Sequence, residues 1–496
     1  MNPDMEDKWL DRGLWLLDVV FAALLVVLIP RAVTLSAVGP DAGYILPLSE
    51  RIHDGMVPGR ELTLGHPHAF LVMYVFAFAQ WVAGGLHPYS LYVGVLVAAE
   101  VAAGVALYAL LGHVTQRRSL RVAGALTVIA QLLYYEGSLV TLEPFVVLFD
   151  LLAMNACLRA KERPMLFAVA GALGCLGFWS KQYGLLFFAS LGYAAWVFAE
   201  TGRARLRNLV LVAAGALAVH AAVVLYFAAK GVNLVAVLEP LWWRWRVYGQ
   251  GSTMAQVVKG FGWQYLAKTS FFLLALPLLL LHPASRRDKT LHILVVAFVG
   301  LSGALYVQQF AHYYQLIVPW GVALLVAIIG YAQRWLRQRP ALASLAWAPY
   351  LLLLIMPLHT ARMIRWFSPE ARAQKLATAA LVQSRIPGGK RVLVHADPSL
   401  VFFADLTPAA FESQGYKWSD FYTKEELEKV IADADYVLHD RAFGKTLRLR
   451  DGSEVPMARI GRDFCVTATI GETLAVWQKS PHEGCAALGA PAASEP

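Results

Sequence analysis

Charge is what this sequence has least of. Only 16% of its residues are Asp, Glu, Lys or Arg, against 58% hydrophobic, where a soluble protein carries about a quarter charged residues. That deficit excludes an ordinary soluble enzyme over most of the length. Nucleotide-binding glycines are missing too. There is no GxxxxGK[ST] loop and no GxGxxG after a strand, so ATP-driven transport and dinucleotide chemistry have no support. HExxH and paired Cys/His spacings are absent, and no metal or other cofactor is indicated. Cysteines number four. Cys157 and Cys175 lie in apolar runs and read as small core residues. Cys465 and Cys485 lie near the C-terminus and are free to pair if that region is outside the cytoplasm. No internal repeat is evident, and the single low-complexity piece is the tail Ala486–Pro496.

The apolar residues are present in long runs. Up to about residue 366 they alternate with short basic clusters, and beyond it the chain reads as soluble. The expected fold is a polytopic α-helical membrane protein of about eleven to thirteen spans (residues 1–366), followed by a small α/β domain (367–496). The N-terminal stretch Met1–Gly13 lacks a signal-cleavage pattern, and the run Leu14–Leu35 is too long for an h-region, so it is expected to be a retained first span. Further spans are expected at 66–86, 89–112, 122–135, 141–158, 165–179, 183–199, 208–229, 270–283, 291–309, 314–332 and 343–361.

The net charge of +9 does not imply nucleic acid. The cations sit in short loops, Arg117–Arg121, Arg159–Arg163, Arg203–Arg207, Arg286–Lys289 and Arg334–Arg339, as residues that fix membrane orientation do. If all five face the cytoplasm, the segments Ser36–Gly65, Tyr134–Glu143, Ser180–Gln182, Lys230–Lys268 and Gln308–Tyr314 lie outside, with the C-terminal domain. One conflict follows. Two full spans between 66 and 112 would put Arg117–Arg121 outside, so either one of these runs does not cross or a span is miscounted, and eleven or thirteen spans, not twelve, satisfy the basic loops.

This partition gathers the unusual polar residues on one face. The first external loop (36–65) holds Asp41 and Tyr44 beside Gly and Pro. The next carries Glu136 and then Glu143-Pro144. Then come Ser180-Lys181-Gln182, the long loop with Trp242-Trp-Arg244-Trp-Arg246, and His312-Tyr313-Tyr314. Ionisable groups at membrane depth cost a few kcal/mol and persist where they face a polar cavity or one another. A carboxylate can take a proton from an acceptor hydroxyl, and cations can stabilise a departing phosphate.

Each has a plainer reading. Asp41 suits a turn or helix cap after Pro40, and Glu143-Pro144 suits a helix start with Pro at N1. Lys181 suits a snorkelling lysine, and Arg244 and Arg246 suit lipid headgroups. His66 and His68 would need Asp54 and Glu61 to hold a metal. Asp433-Ala-Asp435 imitates a DxD metal motif but falls at a helix end, where a solvated turn is expected.

The order of these residues resembles the GT-C superfamily of membrane glycosyltransferases. More narrowly, it is similar to the bacterial relatives of protein O-mannosyltransferases and of the lipid A aminoarabinose transferase. The resemblance implies a polyprenyl-phosphate sugar donor and a glycan, lipid or protein acceptor at the external face of the inner membrane. It implies Asp41 as catalytic base, with Ala42 standing where the family often has a second acid. Glu143 matches the acid of the second acidic loop, and Lys181 and His312 match positions that approach the lipid phosphate. Arg244, Arg246, Tyr313 and Tyr44 are further substrate-binding candidates. A transporter of lipid-linked sugars and a non-catalytic envelope-assembly subunit are the alternatives.

In the C-terminal domain, strands are expected at Arg391–Ala396, Tyr436–His439, Val466–Ile470 and Thr473–Gln478. A capping box, Thr423-Lys-Glu-Glu426, should open a helix over Lys424–Ala432. A hairpin is expected from Leu447–Arg450, Asp451-Gly452 and Glu454–Ile460. Nothing in this domain gathers catalytic residue types, and its expected role is to cover the cavity or select the acceptor.

Overall fold

The computed structural model describes residues 42–58, 60, 70–83, 88–134, 141–234, 287–307, 311–345, 348–350, 353, 369–397, 399–409, 423–449 and 451–480, with parts of a helix between 15 and 33. The helices of the first part are α1 (Ala42–His53), α2 (Phe70–Val82), α3 (Pro88–Leu111), α4 (Arg118–Tyr134), α5 (Glu143–Arg159), α6 (Leu166–Ser180), α7 (Gly184–Val197), α8 (Gly202–Ala229), α9 (Lys289–Val307) and α10 (Val318–Arg337). A 3-10 helix, Ala311–Leu316, leads into α10. Most expected spans have a helix within a few residues. The run 270–283 lies outside the described residues. The run 343–361 shows only 3-10 pieces, Pro340–Leu345 and Ala348–Tyr350, in its described part.

Among the described residues two helices, Tyr89–Leu111 and Gly202–Ala229, are by themselves long and apolar enough to cross a membrane. The others are shorter and are ordered by packing. Asn155 donates to the Ala106 carbonyl (2.9 Å) near the ends of α5 and α3, and Phe76 touches both Tyr92 and Phe145 near their starts, so the two helices run side by side in the same direction. Arg117, just before α4, reaches Gln333 near the end of α10 (2.8 Å). Trp15 lies under the Arg118 guanidinium at 5.7 Å. These contacts put the loops Arg117–Arg121 and Arg334–Arg339 at one end of the bundle, the basic end. The starts of α3 and α5 and the finish of α6 lie at the other.

Helix α6 crosses α8 very closely. A Cβ on Gly215 would lie 1.8 Å from the Ala168 carbonyl oxygen, and one on Gly171 would lie 2.0 Å from that of Val212. Only glycine permits that approach, the small-residue packing by which helices associate where water cannot drive them together.

Helix α2 corrects the reading of 66–86 as a span. Its first residue, Phe70, meets Trp179 at the end of α6 and Phe227 at the end of α8. Phe76 meets Phe145 in the first turn of α5. Gln80, three turns after Phe70, accepts from the Tyr92 hydroxyl at the start of α3 (2.6 Å). Both ends of α2 therefore touch the same end of the bundle, and α2 lies across it. Among the described residues between 66 and 112, α3 alone runs the length of the bundle, an arrangement consistent with the odd parity that the basic loops require. The first loop is corrected as well. It contains α1, which has Ala42, Ile45, Leu46 and Leu48 buried and packs on α2.

The C-terminal domain begins with α11 (Pro369–Arg385). Its strands are β1 (Arg391–His395), β2 (Thr407–Pro408), β3 (Tyr436–Asp440), β4 (Thr446–Arg448), β5 (Glu454–Pro456), β6 (Phe464–Ile470) and β7 (Leu474–Lys479). The main sheet has order β2-β1-β3-β7-β6, with β1 parallel to both neighbours and β7 antiparallel to β3 and β6. Helices α12 (Ser399–Phe403), α13 (Lys424–Asp433) and α14 (Met457–Ile460) complete it. Thr423 and Glu426 form the expected capping box. The hairpin is shorter than expected, since its second arm turns helical at Met457. Asp433 ends α13 and Asp435 lies in the bend before β3; they hold the start of β1, through the Arg391 side chain at 3.6 Å and the Arg391 N–H at 2.9 Å respectively. Cys465 is disulfide-bonded, while Cys157 and Cys175 are free thiols. Cys485 lies outside the described residues.

This domain docks on the end of the bundle opposite the basic loops. Phe402 and Phe403 of α12 meet Tyr92 and Tyr89 of α3. Arg372 of α11 lies over the Tyr89 ring at 4.9 Å and donates to Ser90. Single cysteines placed at Gly55, Ala83 and Gly471 are predicted to react with an impermeant maleimide from the same side of the membrane, and cysteines at Arg203 and Arg339 from the other. Labelling of Gly55 and Ala83 from opposite sides would contradict the placement of α2.

Inside the sheet, His395 and His439 stack and share an Nδ1···Nδ1 hydrogen bond of 2.9 Å. Burial, and then the neighbouring His439, push His395 down from 6.5 to about 4; burial also lowers His439. The unfolded chain therefore binds more protons than the folded domain between these values. Stability is complete above about pH 6.5 and falls as pH drops toward 4, by an amount on the order of 3 kcal/mol. Thermal unfolding followed by Trp477 fluorescence should show this loss, and His395→Leu should flatten it. An unchanged slope in the variant would remove His395 as its source.

Candidate functional site

The end of the bundle that carries the C-terminal domain also gathers the polar residues. Helix α5 starts there with Glu143, and Pro144 follows in its first turn, where a missing N–H costs nothing. The Glu143 side chain turns back to accept from the Leu142 N–H (3.1 Å). Helix α6 ends there at Ser180. Lys181 follows in extended conformation, with its N–H closing the last turn on Gly177. The chain then reverses into α7 within three residues. Two glycines permit this. A Cβ on Gly184 would lie 2.5 Å from the Gly177 carbonyl carbon, and one on Gly177 would lie 2.8 Å from Asp150 Oδ1. The reversal leaves Lys181 at its apex.

At that apex Lys181 and Glu143 form an ion pair. Both residues are buried, at 4% and 0% exposure. Lys181 Nζ also lies 4.7 Å over the ring of Tyr313, with the Tyr183 ring at 6.0 Å. The two tyrosines meet edge to face at 4.8 Å. Three separate stretches of sequence, the start of α5, the α6–α7 reversal and the 3-10 helix before α10, thus meet at one ammonium group. An aromatic wall adjoins it. Trp179 stacks on His220 at 5.5 Å and on Phe70 at 6.3 Å, and Tyr226 donates to the Tyr74 hydroxyl (2.9 Å).

The sequence assigns Glu143 and Lys181 separate tasks, one on acceptor or sugar and one on phosphate. The structure joins them. A carboxylate neutralised and buried this way is poorly placed as a free base and well placed to hold a cation. Removing one member of a buried pair leaves an uncompensated charge at a cost of about 3–5 kcal/mol.

The other candidates fall unevenly. Tyr313 is in the cluster. His312 belongs to the 3-10 helix and Tyr44 to α1 by their backbones; their side chains lie outside what is described. Asp41, Glu136, Arg244, Arg246, His66, His68 and Glu61 lie outside the described residues, and Asp41 directly precedes α1 in the sequence. Glu50 of α1 faces Asp405 of the C-terminal domain, and burial, then that like charge, raise its pKa. Among the described residues no group of three or more His, Cys, Asp or Glu is arranged to hold a metal.

Sequence reasoning missed Tyr183 and Trp179. It also missed Glu100 and Asp150, which sit within α3 and α5 fully buried, with both Glu100 oxygens and Asp150 Oδ1 lacking a hydrogen-bond partner among the described residues. A lone acid inside an apolar run was their available signal.

No family model matches the chain, and no curated protein matches it in sequence. Solved structures do match. ArnT from Cupriavidus metallidurans in the apo state superposes with a TM-score of 0.56 at 12% identity, over 95% of this chain and 98% of that one. The oligosaccharyltransferase of Archaeoglobus fulgidus, in complex with Zn and sulfate, superposes with a TM-score of 0.52 at 14% identity, over 92% of this chain and 74% of that one.

Glu143→Gln and Lys181→Met are each predicted to lower the thermal unfolding midpoint by several degrees, and the double variant by less than the sum. Strict additivity would show that the two do not couple in solution.

Proposed function

We propose, from the GT-C-like fold that this chain has, that it is a multi-pass inner-membrane glycosyltransferase using a polyprenyl-phosphate sugar donor at the extracytoplasmic face. The observation that carries this reading is the buried Lys181, held by Glu143 beneath Tyr313. It stands at the end of the bundle where α1 and the C-terminal domain also pack. A cation fixed in an apolar, aromatic setting suits the phosphate of a lipid carrier, because attraction is strong where water is excluded.

The reaction is a single displacement. An acceptor hydroxyl oxygen attacks the anomeric carbon, the bond from that carbon to the phosphate oxygen breaks, and configuration inverts. The hydroxyl proton passes to the Asp41 carboxylate, and the polyprenyl phosphate leaves with the bonding pair. Lys181 is the first counter-charge for that phosphate, with His312, Arg244 and Arg246 as further contacts. Glu143 sets the position of Lys181. Tyr313 and Tyr44 are further substrate-binding residues. Acceptor hydroxyls on a glycan, a lipid or a protein all satisfy this chemistry, and no step requires a metal.

A second reading, transport of a lipid-linked sugar, draws on Glu100 and Asp150, since unpartnered acids inside a bundle are frequent in transport pathways. One experiment separates the two. Purified wild type and Asp41→Asn are given radiolabelled polyprenyl-phosphate sugars and a membrane acceptor extract in liposomes. Transfer that falls at least ~100-fold in a folded Asp41→Asn, the size of a general-base contribution, supports Asp41 as base. Transfer that survives moves the base to Glu136. Movement of labelled lipid between leaflets with no transfer from any donor overturns the enzyme reading.

A further inference from the structure

The opposite, basic end of the bundle holds a cavity of about 230 Å³, walled by the loop after α5, the start of α6, the loop after α7 and the first two turns of α8. It is separated from Lys181 by the length of α5, 17 residues or roughly 25 Å. Lys161 and Arg207 are on its wall. Neither has a carboxylate partner among the described residues; the Arg207 contact there is to the Asn208 side chain at 3.4 Å. Arg159, Arg163, Arg203 and Arg205 surround it in sequence. The wall includes one acid, Glu200, so two cations face one anion. Asn208, 4% exposed, and Phe167 close the inner side. Helix α8 begins here, with Thr201 capping it through the Ala204 N–H, and its positive end favours an anion.

The surface beside the cavity is apolar and uncovered. Leu206, Val210 and Leu217 of α8, Met165 and Val169 beside and on α6, and Trp196 of α7 are exposed, and the Arg205 guanidinium lies over the Trp196 ring at 4.6 Å. A cationic recess that continues into an exposed apolar flank matches a molecule with a charged head and hydrocarbon tails. The volume falls below the roughly 300–1,000 Å³ of pockets that enclose drug-sized ligands, so it takes a headgroup and not a whole sugar nucleotide. A net wall charge of one suits a singly charged phosphodiester better than a dianionic free phosphate.

We propose that this cavity is a binding site for the headgroup of an anionic phospholipid, held by Lys161 and Arg207 with its acyl chains along α8. The site is independent of the transfer chemistry proposed at the other end. Basic recesses between helices bind anionic headgroups by the same combination of charge and enclosure.

The test is native mass spectrometry of the full-length protein with phosphatidylglycerol, phosphatidylcholine or inorganic phosphate added. Wild type is expected to retain phosphatidylglycerol at least ~10-fold better than phosphatidylcholine. K161A/R207A should lose that preference. K161R/R207K should keep it, as should R334A/R337A, which removes two cations from another basic loop. Matching unfolding temperatures show that the variants fold. Equal retention of both lipids by wild type, or an undiminished preference in K161A/R207A, overturns the proposal. Phosphate that displaces the lipid and binds alone overturns it in favour of a soluble-anion site. If K161A/R207A does not fold, single K161A and R207A must each weaken the preference, and no change in either overturns the proposal.

Discussion

The buried ion pair between Glu143 and Lys181 is the contact on which the architecture of the candidate site depends. It ties the start of α5 to the apex of the α6–α7 reversal and presents one cation to the rings of Tyr313 and Tyr183. Burying two charges is expensive, and a well-packed apolar pair in their place is often no less stable. Stability alone therefore explains the pair poorly. A site that must meet a phosphate explains it better, because a lysine held ready by a carboxylate needs little rearrangement when an anion arrives.

The surrounding packing serves that placement. Gly177 and Gly184 allow the reversal to be tight enough to put Lys181 opposite Glu143. Helix α2 lies across the same end, with Phe70, Tyr74 and Phe76 against the ends of four helices. The C-terminal domain adds Phe402, Phe403 and Arg372 on the first turn of α3. A bundle with helices of 14 to 28 residues thus has one end closed by aromatic layers and the other left open and basic.

Much of this was legible in the sequence, because apolar runs and basic loops report directly on helices and their direction. Glu143 and Lys181 were found as residues out of place in apolar surroundings. Their pairing was not, since they are 38 positions apart and only the packing of α5 on α6 brings them together. The run 66–86 reads as a span because hydropathy does not distinguish a helix that runs the length of a bundle from one that lies across its end; the parity of the basic loops held the clue. The aromatic wall was invisible for a related reason: Trp179 and Phe227 differ from lipid-facing aromatics only in what they touch. In the C-terminal domain four strands of the main sheet followed from apolar runs between turns, while β2, two residues long, gave no such run. The short helix Met457–Ile460 read as a hairpin arm because four residues carry no helical period.

The central claim is that a lipid phosphate is received at Lys181. Cryo-electron microscopy of the full-length protein in nanodiscs with a polyprenyl phosphate tests it most directly. The account predicts phosphate density within hydrogen-bonding distance of Lys181 Nζ, beside Tyr313, with the prenyl chain leaving between helices into the bilayer. Phosphate density elsewhere, with the Glu143–Lys181 pair closed and sealed from it, would contradict the account.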